Sequence, residues 1–297
     1  MQSPKVPSGD GELNEYNLTQ STQVLPRIYY VNGIRVLGRD HALTAALLSL
    51  ITERPVWGVY NKTSGLVSGL VYDFKQCLMD YAQNVSARTV GANRKLVPDQ
   101  RVPKHRIPAV AEEVIRNSVV WNVATVTLFR QLMLNSGNPQ MIIAHSQGNL
   151  ITSNALFVLE QTLGSQALRN IRVYSLASPA PAWPLGLSIK EGGGGRQENA
   201  FMNDLVALLR PHNLAAKVGV GRYQNEGDFR TDKDSWAVSI GPHDTNKNIA
   251  LNFMQSIRND LGMTHPIPEG FLQKHVEATK DLFPNNRGWL QWLDDMF

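Results

Sequence analysis

The segment Met141-Ile142-Ile143-Ala144-His145-Ser146-Gln147-Gly148-Asn149 sets a serine between a short apolar run and a stretch of helical character. Two positions away on either side stand small residues, Ala144 and Gly148. A serine displayed on a sharp strand-to-helix turn needs both features. Its backbone is strained, and strand and helix approach so closely that the flanking side chains must be minimal. The helix that follows points free N–H groups and the positive end of its dipole at the turn, which favours a developing oxyanion. The chemistry such a residue can do is nucleophilic attack. A hydroxyl is a weak nucleophile near neutral pH, so a base must lie within hydrogen-bond reach and an acid must hold that base. The competing reading of Ser146 is a helix cap.

The same segment resembles the nucleophile elbow of the α/β-hydrolase family, on its lipase and esterase side, which commonly reads Gly-x-Ser-x-Gly. Ala144 replaces the first glycine, as in an Ala-His-Ser-x-Gly version that resembles one used by some bacterial lipases, and Gly148 is kept. The resemblance implies a catalytic triad in the chain order serine, acid, histidine. Of the seven histidines, His212, His243, His265 and His275 follow Ser146. His243, in Ser239-Ile240-Gly241-Pro242-His243-Asp244, stands where the family carries its base, just beyond a predicted strand. His265, beside Pro266, and His275 read as surface or packing residues. Asp204, in Asn203-Asp204-Leu205-Val206, resembles the family's Asp-x-Val segment and is the candidate acid. Asp228, Asp232 and Asp234 compete from a polar stretch that also reads as a wet loop; Asp244, adjacent to the base, is discounted. The oxyanion hole is expected from two backbone N–H groups. One belongs to Gln147, after the nucleophile. The other is that of Ile34, because Val31-Asn32-Gly33-Ile34 resembles the His-Gly-x turn of many lipases, with Asn32 in the histidine's place; an Asn-Gly turn is the competing reading. His145 reads as a packing residue under the turn.

These groups need a scaffold. Arg27–Val31, Val56–Tyr60, Met141–Ala144, Val173–Leu176 and Trp236–Ile240 read as short buried strands. Helical spacing covers His41 to Glu53, a segment capped by Ser64 with apolar Val67, Leu70, Val71, Phe74, Leu78 and Tyr81, one long helix from Glu112 to Leu134, Gln147 to Leu163, and Asn246 to Leu261. Strands alternating with helices predict an α/β fold, a mostly parallel central sheet with helices on both faces. Residues 1–25 read as a flexible or surface-draped arm, and the resemblance implies one α/β-hydrolase domain over 26–297. The basic, proline-containing stretch 85–108 reads as a solvated loop, with a mobile lid or a patch for anionic headgroups as the alternative. Gly192–Gly195 demands a loop.

Composition narrows the functions. The 297 residues are 42% hydrophobic and 18% charged, which suits a sizeable packed core and excludes wholesale disorder. One cysteine, Cys77, excludes an internal disulfide framework and a Cys-rich metal site. No apolar stretch is long enough to span a membrane, and the polar start lacks the features of a secretory signal, so a cytoplasmic location is expected, with export lacking such a signal left open. A net charge of +4 is too small and scattered for a nucleic-acid binder. The resemblance thus implies a serine hydrolase cleaving carboxylic esters, of lipid-like acyl type, with no cofactor or metal. The partner expected is a small-molecule acyl ester or lipid. Peripheral membrane contact through the tail Arg287–Phe297 competes with packing of that apolar stripe on the protein's own body. A thioesterase, an amidase, an acyltransferase on the same machinery, or a binding protein without turnover, are the alternatives.

Overall fold

The computed structural model describes residues 4–34, 36–63, 67–91, 102–117, 122–176, 178–184, 187–192 and 247–267. The strand candidate Trp236–Ile240 and the tail Arg287–Phe297 lie outside them.

Among the described residues a six-stranded sheet organises the chain. Its strands are β1 (Leu13–Tyr16), β2 (Arg27–Val31), β3 (Val56–Val59), β4 (Gln140–His145), β5 (Ile171–Leu176) and β6 (Ser188–Gly192). They lie in the order β1-β3-β2-β4-β5-β6, with β1 antiparallel to β3 and every other neighbouring pair parallel. Among the described residues the helices are α1 (Gly38–Thr52), α2 (Val67–Gly91), α3 (Ile107–Asn117), α4 (Val123–Leu134), α5 (Gly148–Leu163) and α6 (Lys247–Asp260).

Both faces of the sheet are apolar, because successive strand residues point to opposite sides and each side is covered. Tyr29, Val31, Ile142 and Val173 face the core built with α3, α4 and α5, including Val114, Leu128, Leu132 and Ile151. Ile28, Tyr30, Ile143 and Tyr174 face the core built with α1 and Ile257 of α6. The fold is therefore an α/β layered structure with helices on both faces. α5 is buried almost all round, between the sheet, α4 and α2.

Several expectations need correcting. The segment read as an arm supplies the edge strand β1. Tyr16 is 2% exposed and donates its hydroxyl proton to the Lys5 carbonyl at 2.9 Å. The Gly11 and Tyr60 N–H groups bond across to the Tyr60 and Glu12 carbonyls. The expected long helix from Glu112 to Leu134 is two helices. Asn122 starts the second by accepting the Ala124 N–H at 2.8 Å, a side-chain cap that an uninterrupted helix has no use for. The stretch 85–108 is helical at both described ends, through Gly91 and from Ile107, since a proline costs a helix nothing in its first turn. On α2, Leu78 is exposed, while Asp73, Cys77, Asp80 and Asn84 are buried. The helix therefore turns a polar stripe inward, and its apolar residue Leu78 outward.

His41, on α1, is fully buried, its ring centroid 6.2, 5.1 and 5.2 Å from those of Tyr16, Tyr30 and Tyr60. That burial pushes its pKa down to about 3, so the imidazole is neutral in the folded state.

Two predictions follow from this packing. Tyr16→Ala should lower the free energy of unfolding by about 3 kcal/mol in urea titration; a loss under about 1 kcal/mol would make β1 a dispensable arm. Below pH 6.5 the unfolded chain takes a proton on His41 that the fold refuses, so stability falls as pH drops. His41→Phe should remove up to about 1.4 kcal/mol per pH unit of that acid slope between pH 6 and 4. An unchanged slope would show that His41 is protonated in the fold.

Candidate active site

Parallel strands leave their C-terminal ends at one edge, and the chain's direction of travel decides where a crevice opens. From β2 the connection through α1 runs to β3 on one side. From β3 the chain crosses to β4, on the other side of β2. The crevice of an open α/β sheet lies at such a reversal, outside the carboxyl ends of the two strands concerned. Here those strands are β2 and β4, paired in register with Val31 opposite Ala144. The residues leaving them are Asn32-Gly33-Ile34 and Ser146-Gln147.

Ser146 has φ +53, in the left-handed region that side-chain-bearing residues avoid. It is 2% exposed, and its hydroxyl has no hydrogen-bond partner among the described residues. The competing helix-cap reading needs the serine oxygen to accept from the first turn, and no such bond is present among the described residues. Gly148, the second residue along, opens α5. A Cβ there would lie 2.3 Å from the Val31 carbonyl oxygen, so only glycine lets helix and strand come this close. Gly33 faces the serine itself: a Cβ would stand 2.5 Å from the Ser146 Cβ and 3.1 Å from its Oγ. The loop after β2 thus lies directly against the nucleophile candidate, with Ile34 buried on Leu150 of α5 in a small cluster with Cys77 and Ala180. Gln147 takes helical backbone angles, and the N–H groups at this end of α5 have no carbonyl one turn earlier in the helix.

Beneath the turn lies a chain of amides ending on a carboxylate. The Gln147 Nε2 donates to Asp80 Oδ2 at 2.6 Å, and its Oε1 accepts from Asn61 Nδ2 at 3.0 Å. Asn32 Oδ1 accepts the Asn61 N–H at 2.9 Å, and its Nδ2 donates to the Asn61 and Gly33 carbonyls at 2.8 and 2.9 Å. Asn122 Nδ2 adds a second bond to Asp80 Oδ2 at 3.0 Å. Asp80 is fully buried. Burial raises its pKa to about 6, against the hydrogen bonds from Gln147, Asn122 and Gln76 that lower it. His145 is pushed down to about 4 by burial, so its ring is neutral near pH 7.

The structure therefore brings Ser146, Gln147 and the loop carrying Ile34 together at the carboxyl ends of β2 and β4. Asp204 and His243, like Asp228, Asp232, Asp234, Asp244, His212 and His275, lie outside the described residues. His265 is described, exposed and beyond α6. Sequence reasoning missed Asp80, Asn61 and Asn122. A signal existed in the spacing of Asp73, Cys77, Asp80 and Asn84 at four, three and four residues, one face of a helix whose chemistry is polar.

The fold and the turn define an open, mostly parallel α/β sheet with a strained serine at its switch point. Compared with known protein families, with curated proteins and with solved structures, the chain matches none.

If the Ser146 hydroxyl is a strained, unpartnered group rather than a cap, removing it should not destabilise the fold. A buried hydroxyl without a partner costs about 1–3 kcal/mol. Ser146→Ala should accordingly unfold at the same temperature as the parent or a higher one. A fall of more than about 1 kcal/mol would restore the capping role.

Proposed function

We propose that this chain is a serine hydrolase of α/β-hydrolase fold that cleaves carboxylic esters, with lipid-like acyl groups as its substrate class. One observation carries the reading: Ser146 holds a left-handed backbone between β4 and α5, its hydroxyl buried and unpartnered among the described residues, with Gly33 packed on it. Strain of this kind persists only where the surroundings enforce it, and it concentrates at functional sites. The Ala-His-Ser-Gln-Gly elbow supports the lipase and esterase side of the resemblance.

In this mechanism Ser146 Oγ attacks the ester carbonyl carbon while His243 takes its proton. Asp204 holds the imidazole in the tautomer that can accept it. The carbonyl oxygen becomes an oxyanion, stabilised by the backbone N–H groups of Gln147 and Ile34. His243 returns the proton to the leaving alkoxide, the tetrahedral adduct collapses, and an acyl-Ser146 remains. Water, deprotonated by His243, attacks that ester; the adduct collapses, His243 returns the proton to Ser146 Oγ, and the carboxylic acid leaves and ionises. No metal or organic cofactor enters these steps.

The test is turnover of p-nitrophenyl esters from acetate to long-chain acyl groups. We expect activity that rises with chain length. Ser146→Ala and His243→Ala should each abolish it, at about a 10⁶-fold loss in kcat, and Asp204→Asn should lose about 10⁴-fold. Turnover of acetate alone would overturn the lipid preference. Loss in His265→Ala or His212→Ala with His243→Ala still active would move the base. A folded parent inert to every ester, thioester and amide offered would leave a binding protein.

A further inference from the structure

The amide chain under the turn has a direction. A carboxylate can only accept, so the side chain of Gln147 must present its Nε2 to Asp80, where it sits at 2.6 Å. Its Oε1 then faces the other way and must meet a donor, which is the Asn61 Nδ2 at 3.0 Å. Asn61 is in turn gripped through its main chain by Asn32: its N–H donates to Asn32 Oδ1, and its carbonyl accepts from Asn32 Nδ2. The same Asn32 Nδ2 also reaches the Gly33 carbonyl at 2.9 Å. The two backbone segments that flank Ser146, one following β2 and one opening α5, are thus joined by a polar path that ends on one negative charge, with Asn122 Nδ2 bridging from that carboxylate to Asn61 Oδ1 at 3.5 Å beside it.

That charge is expensive where it lies. Asp80 is fully buried, and its hydrogen bonds among the described residues come from neutral amides: Gln147, Asn122 at 3.0 Å and Gln76 at 3.5 Å. Among the described residues Asp10, of like sign, acts on it, and burial already favours the protonated form. A neutral asparagine would fill the same space, accept the same two bonds on one oxygen and spare the fold a desolvated charge. A neutral oxygen, however, accepts both bonds more weakly than a carboxylate does, so an amide at position 80 holds Gln147 less firmly. A group kept at a cost to stability beside a strained serine fits a positioning role.

We propose that Asp80 is a positioning residue for the reaction at Ser146: it fixes Gln147 and, through Asn61 and Asn32, the Gly33 turn, and so holds in place the two backbone N–H donors of the oxyanion hole. The inference rests on the serine-hydrolase reading above.

The test measures the second-order rate of phosphonylation of Ser146 by a fluorophosphonate, kcat and KM on a p-nitrophenyl ester, and Tm at pH 8. The full-length parent, Asp80→Asn and Asp80→Ala are compared. Phosphonylation forms an O–P bond from the serine oxygen, passes the serine proton to the base and expels fluoride, through an adduct whose oxygen occupies the same hole. Asp80→Asn should phosphonylate and turn over about tenfold more slowly with KM within twofold, while its Tm stays equal to or above the parent's. Asp80→Ala, which leaves Gln147 Nε2 without its acceptor, should lose about a hundredfold. Should Asp80→Asn remain within twofold of the parent in both rates, or lose rate only together with Tm, Asp80 has no positioning role. A parent whose Ser146 does not label sinks the hydrolase reading itself, an outcome distinct from either.

Discussion

The close approach of α5 to the end of β2 is the constraint on which this structure turns. Gly148 stands where any side chain would strike the Val31 carbonyl, and Gly33 stands where any side chain would strike Ser146. Two adjacent parallel strands, each leaving the sheet at its carboxyl end, are thereby brought into contact through glycine backbones. The serine between them has nowhere to relax and keeps a left-handed φ. Everything chemically suggestive follows from that squeeze: the hydroxyl is fixed, the start of α5 is aimed at it, and the loop after β2 is laid alongside.

A site held so tightly needs a rigid bed, and the bed differs in character above and below the sheet. On the α1 side the core is apolar, with the buried His41 kept neutral among three tyrosine rings. On the other side α5 is lined by aliphatic residues toward the sheet and by polar ones toward α2. Asn84 bonds Ser153 and Asn154 there, and Asn154 reaches the Asp80 carbonyl. Hydrogen bonds specify geometry in a way that aliphatic packing does not, at the cost of desolvating each polar group. The polar layer lies under the serine turn, and the more forgiving layer lies away from it.

Much of this was legible in the chain. The continuous apolar runs around Tyr29 and Ile142, with helical segments between them, announced a parallel sheet, because only strands covered on both faces dispense with alternation. The spacing Ala144-Ser146-Gly148 announced the turn, because its sterics admit few other residues. Less visible were features that depend on partners distant in sequence. β1 carries Asn14 and Glu15 and lacks an apolar signature, since an edge strand borrows its stability from the Val56–Val59 ladder beside it. β6 has no apolar run to mark it, with Lys190 and Glu191 in its middle, and it ends on Gly192, the first residue of the Gly192–Gly195 run that reads as a loop. On α2 the apolar reading fails at Leu78, which is exposed, while Tyr81 packs on the cluster of Cys77 and Leu150. Asp80 belongs inside only once Gln147 and Asn122 are known to meet it. Helix boundaries failed where one cap, Asn122, outweighed a continuous apolar pattern.

The most direct trial of the account is peptide mapping of the folded protein after brief exposure to a fluorophosphonate, read as the mass shift of each serine-containing peptide. A single adduct on Ser146, absent from heat-unfolded protein, is the predicted result. An unmodified Ser146, or modification spread over surface serines at the rate seen after unfolding, would contradict it.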